Sequence, residues 1–315
     1  MGAMDPDMPA VPAASTSPAA AGLGDPVFGR VVTAMVTPFT ADGTLDLDTA
    51  RALARRLVDE QRNDALLVNG TTGESPTTTD AEKRELLATV VDEVGDRAQV
   101  IAGVGTFSTA HTIHLAREAV DAGADGLLVV TPYYSRPPQD ALVAHFRAVA
   151  DATDAPIMIY DIPHRAGVPV ETATFLAIAD HPNIVAVKDA KGQIVASSRV
   201  IAETSLAFYA GDDAITLPLL SVGGVGVVGT ATHFTGRRMR EMIDAFVAGR
   251  LDEALALHQA LLPVMTGVFA TQGVMLVKAG LDHQGFPVGG VRGPLLAASA
   301  DEASRFARLL DAADL

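Results

Sequence analysis

Short continuous apolar runs alternate with helical patterns along almost the whole chain. Eight of these runs read as strands: "RVVTAMV", "ALLVNG", "QVIAGVG", "GLLVVTP", "PIMIYDIP", "NIVAVKDA", "LAFYAGDD" and "VGVVGT". Their apolarity is unbroken rather than alternating, so both faces of each strand should be buried, as in parallel sheets covered by helices. Between them the spacing predicts helices at Leu47 to Glu60, Asp80 to Val94, Ala110 to Ala122 and Asp140 to Ala152, the second opened by a capping box of Thr79 and Glu82. With right-handed crossovers, eight such units close most economically into an α/β fold, the (βα)8 or TIM barrel. Helical patterning continues at "DEALALHQALLPVMTG" from Leu251 and at "ADEASRFARLLDAA", predicting additional C-terminal helices. Three parts are therefore expected: an N-terminal extension over 1–25, the barrel over 26–250, and a C-terminal helical extension over 251–315 packed on the barrel.

Composition changes this picture at the N-terminus and at the surface. The opening "MGAMDPDMPAVPAASTSPAAAGLG" is rich in Pro, Ala and Ser and lacks both a basic n-region and a continuous apolar h-region, so it is not a signal peptide. Its first residues read as a cloning remnant and the rest as disordered to about Asp25, because too few large apolar groups offset the entropy of ordering. Two uncharged runs, Ala214 to Gly236 and Ala254 to Val277, are long enough to raise the question of a membrane span. Pro218, His258, Gln259, Pro263 and several glycines assign them to core elements instead. A formal net charge of -15 argues against nucleic acid or an anionic membrane as partner. The sequence contains no cysteine, which excludes disulfides, thiolate zinc sites and a cysteine nucleophile, and fits a reducing cytoplasm.

A barrel of this kind carries its chemistry at the C-terminal ends of its strands. Those ends hold Gly70-Thr71-Thr72-Gly73-Glu74, Tyr133-Tyr134, Tyr160-Asp161 with Arg165 beyond, Lys188-Asp189, and Gly211-Asp212-Asp213. The glycine turn at Gly70, entering a helix, suits a small anion, but it has no lysine where a nucleotide-binding phosphate loop needs one. Lys188 stands out because the chain has 19 arginines and four lysines. Where a positive charge alone is needed, this sequence uses Arg. A lysine after the buried run "NIVAV" points to a task Arg cannot perform, losing its proton and attacking a carbonyl to form a Schiff base. The other reading is a buried ion pair with Asp189 or Asp212. "GVGVVG", Gly224 to Gly229, matches a dinucleotide fingerprint in letters only, because its glycines are themselves the last strand. His111 and His114 have helical spacing without a third ligand, and His233 is the only histidine near a strand end, so a metal site is not expected.

Taken in order and at strand ends, "GTTGES", "TPYYSRP", "YDIPHR" and "VAVKDA" resemble the dihydrodipicolinate synthase branch of the pyruvate-dependent class I aldolase family, which includes N-acetylneuraminate lyase. The resemblance runs from about Arg30 to the C-terminus. Two departures are Asp161, where many relatives have Asn, and Asp189, where many have Glu. It implies a carbon-oxygen lyase acting, with no metal and no organic cofactor, on pyruvate and L-aspartate 4-semialdehyde in lysine and diaminopimelate biosynthesis, as 4-hydroxy-tetrahydrodipicolinate synthases do. Lys188 would form the imine, and Tyr160, Thr71 and Tyr134 would shuttle protons, Tyr134 reaching in from a neighbouring subunit of a homotetramer built as a dimer of dimers. Thr72 would help hold the pyruvate carboxylate and Arg165 that of the semialdehyde, while Gly211 and the carbonyl of Val228 face substrate. The alternative within the family is a lyase of N-acetylneuraminate or 2-keto-3-deoxy sugar acids, most of which lack the arginine matched by Arg165. Feedback-inhibited relatives bind lysine at positions matching Ser75, Pro76, Asp80, Lys83, Phe107, His111 and Tyr133. Here Phe107 replaces an asparagine and His111 a glutamate, so weak inhibition by lysine is expected.

Overall fold

The computed structural model describes Gly24 and residues 26–315; the expected N-terminal extension otherwise lies outside the described residues. Eight parallel strands close in chain order into one barrel: β1 (Val31–Ala34), β2 (Ala65–Val68), β3 (Gln99–Gly103), β4 (Gly126–Val130), β5 (Ile157–Asp161), β6 (Ile184–Asp189), β7 (Ala207–Ala210) and β8 (Gly226–Gly229). β1 pairs with both β2 and β8, which completes the ring. The strands are shorter than the apolar runs that predict them: Met35, Val36 and Val104 lie beyond the strand ends yet stay covered, Met35 and Val104 still donating to Leu67 and Leu128 of the next strands.

Burial on both faces hides an alternation, broken once on β6, where Val185 and Ala186 both meet the interior beside a register shift with β5. Met158 and Tyr160 on β5, Ala186 on β6, Ala207 and Tyr209 on β7 and Val228 on β8 belong to a cluster inside the barrel, closed below by Phe28. The intervening Ile157, Ile159, Val187, Phe208 and Ala210 belong to the larger layer between strands and helices. Register then fixes the neighbours across strands, for Lys188 pairs with Tyr160 on one side and Tyr209 on the other.

The predicted helices occur at Leu47–Arg55, continued by a π turn to Glu60, and at Asp80–Val94, Thr109–Asp121 and Gln139–Ala150. The Thr79–Glu82 capping box is present with both of its hydrogen bonds. Beyond the barrel lie helices Leu251–Gly267, Gly273–His283 and Ala300–Ala312. The middle one is not marked by the amphipathic pattern: "GVMLVKAGLDH" opens on glycine and is mostly buried, so it shows no polar stripe. Among the described residues no helix is long and apolar enough to cross a membrane.

The C-terminal segment is tied to the barrel mouth by charge. Lys278 and Glu74 form a buried ion pair at 2.8 Å, both side chains at or below 5% exposure. Glu74 also accepts from the backbone N–H of Arg292, whose guanidinium grips both oxygens of Glu82 (2.6 and 2.9 Å) and donates to the carbonyls of Gly43 and Thr77. Phe39 stacks beneath both cations. Gly289 in this segment has φ +76°, and a Cβ there would lie 1.7 Å from the Phe39 carbonyl, so only glycine fits.

Candidate active site

Thr71, Thr72, Tyr160, Arg165, Lys188 and Gly211 line one cavity at the C-terminal mouth of the barrel. An adjoining apolar chamber shares Thr71, Tyr160 and Arg165 and adds Leu128, Val130, Tyr133 and Leu295. Six of the eight residues singled out from sequence therefore meet in one place. Val228 sits inside the barrel, 1% exposed, with its side chain packed against the interior cluster rather than lining the cavity. Tyr134 stands away from this chain's cavity, 94% exposed and held at φ +71°.

Lys188 owes its position to strand alternation. Two residues after Ala186, its side chain enters the barrel, and its Nζ lies 4.3 Å from the centre of the Tyr160 ring. Among the described residues it makes no ion pair. The two carboxylates that would have paired with it are engaged elsewhere. Asp189, one residue on, necessarily faces the helix layer, where it accepts from the Lys191 amide at 2.9 Å and from the Ser197 hydroxyl. Asp212 caps the turn that follows it, accepting from the Ala214 amide at 3.0 Å. Burial pushes the Lys188 ammonium down to about 8; the negative Asp213 works against that shift and the Arg165 guanidinium adds to it.

Burial likewise holds the Tyr160 phenol up at about 12, tempered by Arg165 and by a hydrogen bond with Thr71. It is therefore a neutral hydroxyl near pH 7, able to pass a proton on but not a standing anion. The loop carrying Thr71 is a closed turn: Glu74 and Ser75 donate their amides back to Thr71 and Gly70, and the Thr37 hydroxyl holds the Gly73 carbonyl at 2.6 Å. Glu74 ends the loop in a left-handed conformation at φ +56°, fixed there by Lys278 and Arg292. Thr72 and Thr230 face each other hydroxyl to hydroxyl at 3.2 Å. The result is a rigid rim of hydroxyls and amides suited to a carboxylate.

Two further contributors come from outside the motifs. Asp213 is fully buried beneath the site, held by the Thr230 amide, and burial raises its carboxyl to about 6. The glycine at 229 makes room for it, because a Cβ there would lie 2.3 Å from its Oδ1. Asp213 was visible as the second of two acids after β7, though nothing in sequence distinguished it from Asp212. Gln272, at the start of helix Gly273–His283, accepts from Arg165 Nη2 at 2.8 Å and has no comparable sequence signal.

The histidines take structural places. His233 is fully buried with both ring nitrogens committed to the backbone, Nε2 accepting from Val36 and Nδ1 facing the Thr230 carbonyl. His111 pairs with Asp80 at 2.8 Å on the helix surface. Among the described residues no group of three metal-ligating side chains converges.

Comparison with known proteins identifies the family. The model of the dihydrodipicolinate synthetase family matches residues 27–313. A 4-hydroxy-tetrahydrodipicolinate synthase from Cutibacterium acnes is 63% identical over 290 residues, covering 92% of this chain and 99% of the relative. One from Acidothermus cellulolyticus is 62% identical over 278 residues, 88% of this chain and 90% of the relative. Among solved structures, the dihydrodipicolinate synthase of Cyanidioschyzon merolae, determined with lysine bound, superposes with a TM-score of 0.90 at 42% identity, covering 92% of this chain and 99% of the other. With the match running through nearly all of the barrel and its C-terminal helices, this chain belongs to the dihydrodipicolinate synthetase family.

Proposed function

We propose that this chain catalyses the 4-hydroxy-tetrahydrodipicolinate synthase reaction, condensing pyruvate with L-aspartate 4-semialdehyde through an imine on Lys188. The observation that carries the reading is a buried lysine that pairs with no carboxylate among the described residues, beside a buried tyrosine, in a cavity also lined by an arginine. The neutral amine attacks the keto carbon of pyruvate and water leaves, giving the imine. Loss of a methyl proton makes the enamine, whose carbon attacks the aldehyde. The amino group of the second substrate then displaces the Lys188 amine as the ring closes; over the whole cycle one water is lost, from the keto carbon-oxygen bond broken at imine formation, and in that sense the enzyme is a carbon-oxygen lyase. Tyr160, protonated at working pH, donates to the departing hydroxyl and recovers the proton through Thr71.

In this reading Thr71 and Thr72 hold the pyruvate carboxylate, the backbone at Gly211 and Val228 bounds the pocket, and Arg165 receives the carboxylate of the semialdehyde. The exposed Tyr134, strained into the left-handed region, completes the proton relay of a second copy in a homotetramer. The cysteine-free composition fits a cytoplasmic enzyme. A sugar-acid lyase of the same family is disfavoured by Arg165, a cation where a polyhydroxylated chain needs neutral partners. The test is a coupled assay with pyruvate and L-aspartate 4-semialdehyde beside one with pyruvate and N-acetylmannosamine. Turnover of the first pair alone supports the reading, and turnover of the second alone replaces it.

A further inference from the structure

Arg165 stands in the four-residue helix Pro163–Ala166, a single turn, with its side chain exposed at the mouth. Its guanidinium is fixed from across the mouth, where Nη2 donates to Gln272 Oε1 at 2.8 Å over a sequence separation of 107 residues. Both side chains line the same chamber. Gln272 is itself anchored: its backbone precedes helix Gly273–His283, and its Oε1 also accepts from the Gly273 amide at 3.2 Å. That helix is held to the loop bearing Thr71 and Thr72 by the buried Lys278–Glu74 pair. A continuous mechanical link thus runs from the threonine loop through Glu74, Lys278 and the helix to Gln272 and Arg165.

The chemistry of the link is specific to an amide. A carboxylate at 272 would also hold the guanidinium, more strongly and in a fork that uses two of its N–H groups, and would neutralise the charge a substrate carboxylate needs. An amide oxygen takes one N–H, orients the plane and leaves the charge uncompensated. We infer that Gln272 is a positioning and specificity-determining residue that aims Arg165 at the carboxylate of the second substrate without neutralising it. The inference rests on the reading of the reaction given above and deepens it.

Gln272→Glu separates this role from a merely structural one, because the two readings move it in opposite directions. As a helix cap, a carboxylate before Gly273 is as good as the amide or better, so fold stability is retained or raised. As a partner of Arg165 it competes with substrate. KM for L-aspartate 4-semialdehyde should therefore rise about ten-fold or more, equivalent to about 1.4 kcal/mol, with KM for pyruvate and borohydride trapping of pyruvate unchanged. Gln272→Met, which keeps the length and removes the acceptor, should raise the same KM by a smaller factor. Unchanged semialdehyde KM in Gln272→Glu, or an equal rise in both KM values, overturns the inference while wild-type turnover leaves the reaction standing. Wild-type protein that fails to condense the two substrates overturns both.

Discussion

The pH dependence of imine formation follows from the burial of Lys188. Burial brings its ammonium from 10.5 to about 8. At pH 7 about one amine in ten is then neutral, against about one in three thousand for a solvated lysine, a gain of roughly 300-fold in nucleophile. The same shift costs about 3 kcal/mol of stability at neutral pH. The sign is set by the folded value lying below the unfolded one. Between pH 8 and 10.5 the unfolded chain keeps the proton and the folded chain has released it, so stability rises with pH through that window, and below pH 8 the full cost applies. Reductive trapping of pyruvate with cyanoborohydride, followed by intact mass at a series of pH values, should show an initial rate rising to a plateau with its midpoint near 8. Asp213→Asn removes the carboxylate that favours the ammonium and should move the midpoint lower. Lys188→Met should abolish trapping and, by removing the desolvation cost, raise Tm by several degrees at pH 7. A midpoint above about 10, near the solvated reference, or label mapped to Lys191 or Lys278, refutes the assignment.

Arg165→Ala should weaken use of the semialdehyde by roughly 2 to 5 kcal/mol in kcat/KM while leaving pyruvate trapping intact, read from the two KM values; equal damage to both would make it structural. Thr71→Val and Tyr160→Phe should instead lower kcat by about 10²- to 10⁴-fold with the semialdehyde KM little changed. Lys278→Met strands Glu74 as an unpaired buried carboxylate and should cost about 3 to 5 kcal/mol, whereas the double variant with Glu74→Gln should recover much of the loss in denaturant unfolding. L-Lysine should inhibit weakly, with half-inhibition above about 1 mM: Asp80 is already paired with His111, Lys83 donates to the Thr78 carbonyl, and Phe107 packs edge-to-face on Tyr133. Initial rates at saturating pyruvate measure it.

The barrel was legible because parallel strands buried on both faces must be written in continuous apolar residues, and loops at one end must carry the polar ones. Lys188 was legible for a compositional reason, one of four lysines in an arginine-using chain. Whether it was an amine or half of an ion pair was not, yet the strand period held that answer: Asp189 cannot face the cavity if Lys188 does. Asp212 and Asp213 show the limit of such reasoning. Both follow the end of β7, and only the turn that caps Asp212 outward and packs Asp213 against Gly229 separates a surface carboxylate from a buried one.

What stayed hidden lies in helix Gly273–His283 and the segment after it, where function depends on contacts more than a hundred residues away. Gln272 meets Arg165, Lys278 meets Glu74 and Arg292 meets Glu82 only because the C-terminal chain returns to the barrel mouth. A helix buried on all sides has no amphipathic stripe to announce it. Its buried charged residue, Lys278, then reads as an isolated surface cation unless its partner is known. The motifs bring their polar groups together at the barrel mouth, and the C-terminal helices return to brace them. In the proposed mechanism the first touch substrate and the second aim them, so perturbing Gln272, Lys278 and Arg292 rather than the motifs tests how the mouth is held.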